Sequence, residues 1–213
     1  ADMDSTMIEQ ECIDEMAAHV GIGAQVAEIT ALAMDGKLDF EEAVDARVAL
    51  LKGLPLAALE TVFEERISFM AGGAVLLATM KARGAYAALV SGGFTYFTGR
   101  VAGALGFDEN RANVLLTEGD VLSGAVAKPV LGQEAKVIAL EEITARLGIS
   151  EREAVAVGDG ANDLGMLGRA GLGVALHAKP SVQAQCDVRI NHGDLTALLY
   201  LQGYSQAEFV SAG

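Results

Sequence analysis

Apolar residues recur at three-to-four spacing over Glu9–Val20 and Ala24–Asp35, with Gly21, Gly23 and Gly36 as punctuation, and that period predicts two helices. Phe40–Lys52 carries the same period. After Gly53-Leu54, Pro55 can open a further helix that runs to about Arg66. No strand pattern interrupts residues 9–69, so this stretch predicts a small helical bundle. From Gly72 the texture changes. Helical stretches over Gly73–Arg83, Phe94–Leu105, Gln133–Leu147, Asn162–Gly171 and Asp194–Gln202 alternate with short apolar runs at Ala85–Val90, Ala154–Val157, Leu172–Leu176 and Asp187–Ile190. Asn113–Thr117 and Val121–Val126 flank Glu118-Gly119-Asp120 and predict a β-hairpin.

Strands that alternate with helices predict an α/β fold: a doubly wound, Rossmann-like parallel-sheet core. The expected domains are a core of residues 1–8 and 70–213, with the hairpin near 113–126, and an inserted helical cap of residues 9–69. In such sheets ligands bind at the carboxyl ends of the strands. Asp2/Asp4, the Ser91-Gly92-Gly93 turn and Asp159/Asp163 should therefore converge on one rim. A strand ending at Asp2 would extend several residues upstream, so the numbering is expected to begin inside a longer product.

The chain has 213 residues and is 52% hydrophobic, enough for a core plus a small second domain. No apolar run reaches the length of a bilayer span, and no basic leader precedes the acidic start. The net charge of −14 repels nucleic acid and anionic membranes, so neither is expected as a partner. It also repels phosphate, so a phosphate site would need its own local cations. Cys12 and Cys186 lie far apart, which argues against a disulfide framework or zinc site and for a cytoplasmic location.

On an extended chain Asp2 and Asp4 point to the same side. Such a pair can divide phosphoryl transfer, one carboxylate attacking phosphorus and the other handling the leaving-group proton. An acidic turn capped by Ser5 or Thr6 is the plainer alternative. A calcium loop also begins Asp-x-Asp, but Met7 and Ile13 stand where its glycine and closing glutamate belong. Ser91-Gly92-Gly93 ends an apolar run, and a hydroxyl beside bare backbone N–H groups can hold phosphate oxygens. Lys136 can supply a fixed cation, with Lys128 as its rival. Asp159 at a strand end can bind magnesium, Asp163 can orient Lys136, and Asn162 can bond phosphate or a neighbouring loop.

The ordered set Asp2-Met3-Asp4-Ser5-Thr6, Ser91-Gly92-Gly93, Lys136 and Gly158-Asp159-Gly160-Ala161-Asn162-Asp163 resembles the four motifs of the haloacid dehalogenase-like phosphatase superfamily. The resemblance implies that Asp2 is the nucleophile and Asp4 the acid/base. It implies Mg2+ held by Asp2, Asp159 and the Asp4 backbone carbonyl, with Asp163 behind them. Ser91, Gly92 and Lys136 would grip the phosphate. The cap text is similar to the phosphoserine phosphatases at Met34-Asp35-Gly36-Lys37-Leu38-Asp39-Phe40-Glu41-Glu42, Arg47-Val48 and Leu51-Lys52-Gly53-Leu54-Pro55. So are Val90-Ser91-Gly92-Gly93-Phe94 and Ala178-Lys179-Pro180. That likeness implies O-phospho-L-serine as substrate, the last step of serine biosynthesis, and by family habit a homodimer. It places Glu11 at the substrate ammonium, Arg47 at its carboxylate, and Met34 and Phe40 as apolar cap residues over the site. On the residues alone, Met34 and Phe40 suit a bundle core and Arg47 a helix surface. The rival functions are a phosphotransferase passing the phosphoryl group to another alcohol such as homoserine, a phosphatase for a different small ester, and a non-catalytic phospho-ligand binder.

Overall fold

The structure is a computed structural model that describes residues 1–34 and 37–211. Four helices come first: α1 (Cys12–His19), α2 (Gly23–Met34), α3 (Phe40–Ala49) and α4 (Leu56–Arg66). α1 starts three residues later than its apolar period predicts. The backbone before it is engaged elsewhere, because Ile8 bridges Phe69 and the Glu9 N–H donates to the Ser68 carbonyl. α3 starts where expected because Asp39 and Glu42 cap it reciprocally: the Asp39 carboxylate accepts from the Glu42 N–H at 2.8 Å, and the Glu42 carboxylate accepts from the Asp39 N–H at 2.9 Å. Asp35 and Gly36, at the predicted end of α2, and the Met34 side chain lie outside the described residues.

The remaining elements are α5 (Gly73–Ala82), β1 (Ala88–Phe94), α6 (Thr95–Leu105), β2 (Glu109–Asn113), β3 (Leu115–Glu118), β4 (Val121–Val126), α7 (Gln133–Leu147), β5 (Val155–Gly158), α8 (Leu164–Arg169), β6 (Leu172–Leu176), α9 (Pro180–Gln183), β7 (Val188–Ile190) and α10 (Ala197–Leu201). β1 pairs with β2, and β5, β6 and β7 pair in that order, all in parallel. Ala1 and Asp2 stitch the two groups together. Ala1 donates from its ammonium to the Ala88 carbonyl and accepts from the Val90 N–H, each at 2.9 Å. On the other side the Asp2 N–H donates to the Val157 carbonyl at 3.0 Å. The strand order is thus β2-β1-(Ala1–Asp2)-β5-β6-β7, an α/β parallel sheet.

Four details depart from the sequence reading. Ser91-Gly92-Gly93 is not a turn after a strand but part of β1, whose register against β2 slips between Val90 and Phe94. β2 itself was not predicted, because four of its five residues are polar and an edge strand needs no apolar alternation. Asn113, expected to open the hairpin, ends β2 instead. The helix expected from Asn162 is a 3-10 turn at Ala161–Asp163 followed by the short α8.

One apolar cluster runs from Leu89, Phe97, Val157, Val174 and Leu176 in the sheet region to Val44, Val48 and Leu51 in the α3 region. The hairpin joins it through Leu122 and Val126 and also bonds the segment after α3: the Gly53 N–H donates to the Leu122 carbonyl, and the Leu122 N–H to the Leu54 carbonyl, each at 2.8 Å. Among the described residues no helix is long and apolar enough to cross a membrane.

Candidate active site

The ends of the central strands carry the densest polar chemistry in the molecule. Asp2 is buried, with Oδ1 accepting from the Met3 N–H at 2.7 Å and Oδ2 lying 2.7 Å from Lys136 Nζ. Lys136, the fourth residue of α7, is only 2% exposed. Its ammonium also donates to Asp163 Oδ1 at 2.6 Å. Asp163 is buried too, and its Oδ2 accepts from the Asp159 and Gly160 N–H groups at 3.1 and 3.0 Å. A side chain at Gly158 would put a Cβ 2.3 Å from Asp163 Cγ, so the glycine is what lets this carboxylate tuck under the strand end. Burial works against the Lys136 charge, but Asp2 and Asp163 outweigh it and hold its pKa above the usual lysine value.

Asp4 reaches the start of α1. Its Oδ1 accepts from the Cys12 N–H at 3.1 Å. Desolvation in the cleft, then the charges of Glu11 and Asp2, push its carboxyl up to about 8. The Ser91 hydroxyl accepts from the Gly93 N–H at 2.9 Å. A Cβ at Gly93 would stand 2.7 Å from Asp4 Oδ2 and 3.1 Å from Ser91 Oγ. The bare backbone there is what allows Asp4 and Ser91 to close on the same space.

Around the mouth the residues are looser. The Ser5 hydroxyl donates to Glu11 Oε1 at 2.7 Å. Arg47 on α3 is half-buried, donates from Nε to the Ala43 carbonyl at 3.1 Å, and feels the charges of Asp14, Glu11 and Asp4. Phe40 is 41% exposed, and its ring lies against Gly92 and Gly132. Asn162 is partly exposed beside Gly160. Lys128, the rival cation, is not part of this cluster: it pairs on the surface with Glu41 and Asp45 of α3 at 2.5 and 2.7 Å.

The structure thus brings Asp2, Asp4, Ser91, Gly92, Lys136, Asp159 and Asp163 to one rim, with Glu11, Arg47 and Phe40 at its mouth. The sequence reading overlooked Thr6, which is fully buried and donates to Asp159 Oδ1 at 3.0 Å. It also overlooked the Ser5–Glu11 bond and the Cys12 amide on Asp4. Thr6 and Asp159 are 153 positions apart, so no local pattern links them.

The family model of haloacid dehalogenase-like hydrolases matches residues 1–168. The chain belongs to that family. The phosphoserine phosphatase of Polaromonas sp. is 47% identical over 205 residues, which cover 94% of this chain and 87% of that protein. A solved structure described as a substrate-bound phosphoserine phosphatase complex matches with a TM-score of 0.87 at 40% identity, over 94% of this chain and 95% of that one. Another, described as a phospho-aspartyl intermediate analogue of phosphoserine phosphatase, matches with a TM-score of 0.86 at 40% identity, over 94% of this chain and 95% of that one. The chain is accordingly an enzyme, a phosphoric monoester hydrolase of the phosphoserine phosphatase kind.

The hydrolase also has a carboxylate cluster suited to a cation. One oxygen from each of Asp2, Asp159 and Asp163 lies within 4.8 Å of the others. An all-oxygen, anionic donor set fits a hard divalent ion such as magnesium. Within the trio, Asp163 is engaged by Lys136 and two backbone amides and Asp2 by Lys136 and the Met3 amide, whereas Asp159 is only partly buried and is the most open of the three.

Proposed function

We propose that this hydrolase cleaves O-phospho-L-serine to L-serine and phosphate in the last step of serine biosynthesis, with a magnesium requirement and an aspartyl-phosphate intermediate on Asp2. The observation that carries the reading is the meeting of Lys136 with Asp2 at 2.7 Å, while Asp4 and Ser91 close over Gly93 beside them. A carboxylate nucleophile, a proton-carrying group and a fixed cation then surround one space.

An Asp2 carboxylate oxygen forms the bond to phosphorus as the bond from phosphorus to the serine oxygen breaks. Asp4 gives its proton to that departing oxygen. Lys136, Ser91, Asn162 and the Gly92 backbone offset charge on the phosphoryl oxygens. Asp4 next takes a proton from water, whose oxygen attacks phosphorus and frees Asp2 and phosphate. Bound magnesium would be held by Asp2, Asp159 and the Asp4 backbone carbonyl, with Asp163 behind them, and would supply positive charge at the phosphate. Thr6 holds Asp159 in place, and Asp163 holds Lys136. At the mouth, Glu11 receives the substrate ammonium and Arg47 its carboxylate, a pairing that a zwitterion requires. Residues 9–69 serve as the cap, with Met34 and Phe40 keeping water from the reacting phosphoryl group.

The test is phosphate release from O-phospho-L-serine with and without magnesium, beside the Asp2→Asn variant and an aryl phosphate. Metal-dependent release that prefers phosphoserine and falls by at least about a thousandfold in Asp2→Asn is expected. Retained turnover in Asp2→Asn would remove the nucleophile assignment. Hydrolysis of the aryl phosphate alone would keep the chemistry and discard Glu11 and Arg47 as readers of the amino acid.

A further inference from the structure

Asn113 is 2% exposed and takes no part in the chemistry described so far. It ends β2 at the point where the β1–β2 ladder slips, so the Gly92 backbone is left without its regular strand partner. The Asn113 side chain takes over. Its Nδ2 donates to the Gly92 carbonyl at 2.8 Å and to the Leu131 carbonyl at 3.2 Å, and its Oδ1 accepts from the Leu131 N–H at 2.7 Å. One side chain therefore locks the phosphate-gripping segment of β1 to the loop that leads into α7 and Lys136.

The two clamped segments also face the cap. A Cβ at Gly92 would meet Phe40 Cζ at 3.3 Å, and one at Gly132 would meet Phe40 Cδ1 at 3.1 Å. The Phe40 ring thus rests in a slot between Gly92 and Gly132, and Asn113 bonds Gly92 on one side and Leu131, the neighbour of Gly132, on the other. Phe40 is the first residue of α3, and Arg47 lies two turns along the same helix.

We propose that Asn113 is a positioning residue: it builds the seat on which Phe40 lands and so sets where α3 holds Arg47 over the phosphate site. For Arg47 this rests on the reading of the substrate given above; for the seat it does not.

The chain has no tryptophan, so Phe40→Trp supplies a single fluorescent reporter of the seat. Adding Asn113→Ala should raise its acrylamide quenching by about twofold, because the ring loses the fixed slot that shields it. Asn113→Ser, which replaces the amide with a shorter hydroxyl donor, takes the place of the alanine variant if that one fails to fold. In parallel, kcat/KM for O-phospho-L-serine is measured for wild type, Asn113→Ala, Phe40→Ala and the pair. Each single change should cost about tenfold, mainly through KM, and the pair little more than either alone, because both act through one contact. Unchanged quenching, or losses that simply multiply in the pair, would overturn the proposal. If the wild type did not turn over phosphoserine, the substrate reading would fall, while the reporter alone would still decide the seat.

Discussion

At the strand ends Lys136 is buried, with its ammonium 2.7 Å from Asp2 and 2.6 Å from Asp163. On α3, Arg47 is half-buried and bonds its own helix at the Ala43 carbonyl, and Phe40 is 41% exposed. On the proposed function, the two regions handle charge differently because they meet the substrate at different moments. Groups that act on developing charge work best when fixed beforehand in a dry, low-dielectric place. Groups that read a zwitterion must first be open to receive it, so they stay near solvent. A rigid cluster beneath a looser reader is the pattern expected of an enzyme whose cap closes over its substrate.

The sharpest break of that comparison is Lys136→Met. It leaves the shape nearly intact but strands two buried carboxylates without their cation. Removing one partner of a buried charge cluster costs about 3–5 kcal/mol. Urea denaturation should show a loss of that size, and phosphoserine hydrolysis should vanish with it. A variant as stable as wild type would mean that the strand-end cluster is not an electrostatic unit.

Gly93→Ala tests rigidity without touching a charge. The new Cβ would stand 2.7 Å from Asp4 Oδ2, so the carboxyl proposed to carry the proton must move. Misplacing a reacting group by about 1 Å can cost about a hundredfold. That loss should appear in kcat, with KM for phosphoserine changing by less than about threefold. If KM rises instead and kcat holds, Gly93 shapes the substrate pocket rather than the position of Asp4.

These two regions also differ in how far the amino-acid sequence exposes them. Asp159/Asp163 stand out because a dense acidic cluster at the end of an apolar run has few structural uses, and Asp2/Asp4 because residues two apart on an extended chain face one side. In the sequence Lys136 stands near a helix start and Lys128 at a hairpin end; the structure separates them by burial, one nearly inaccessible and the other paired on the surface. On its residues alone Arg47 reads as an ordinary helix-surface charge, and only the likeness to the phosphoserine phosphatases singles out Arg47 and Glu11. The strands that are short apolar runs were legible, whereas β2 was not, since Glu109, Asn110, Arg111 and Asn113 carry no apolar signal. Asn113 was hidden for the same reason. Its three bonds reach 18 to 21 positions along the chain, and a polar residue in a polar edge strand gives no hint of them.

Arg47→Ala moves the test to the mouth. Loss of a charge-assisted pair with the substrate carboxylate should lower kcat/KM for phosphoserine by about ten- to a hundredfold. An aryl phosphate has no carboxylate to read, so its loss should be much smaller, and the ratio of the two is the measurement. Equal losses on both substrates would place Arg47 with the strand-end cluster and erase the division between the regions.

The mildest test is Lys128→Ala, which cuts the surface pairs from Lys128 to Glu41 and Asp45 on α3. All three side chains are about half exposed, at 47%, 55% and 46%. Exposed pairs of this kind are screened by water and salt and contribute little. The variant should therefore change kcat/KM for phosphoserine by less than about twofold at low salt. Raising the salt should bring wild type and variant together, because screening removes from the wild type what the substitution removes outright. A large effect that persists at high salt would show that α3 is held to the core by this contact rather than by Phe40 on its glycine seat and the apolar cluster beneath, and the looseness assigned to the mouth would then be wrong.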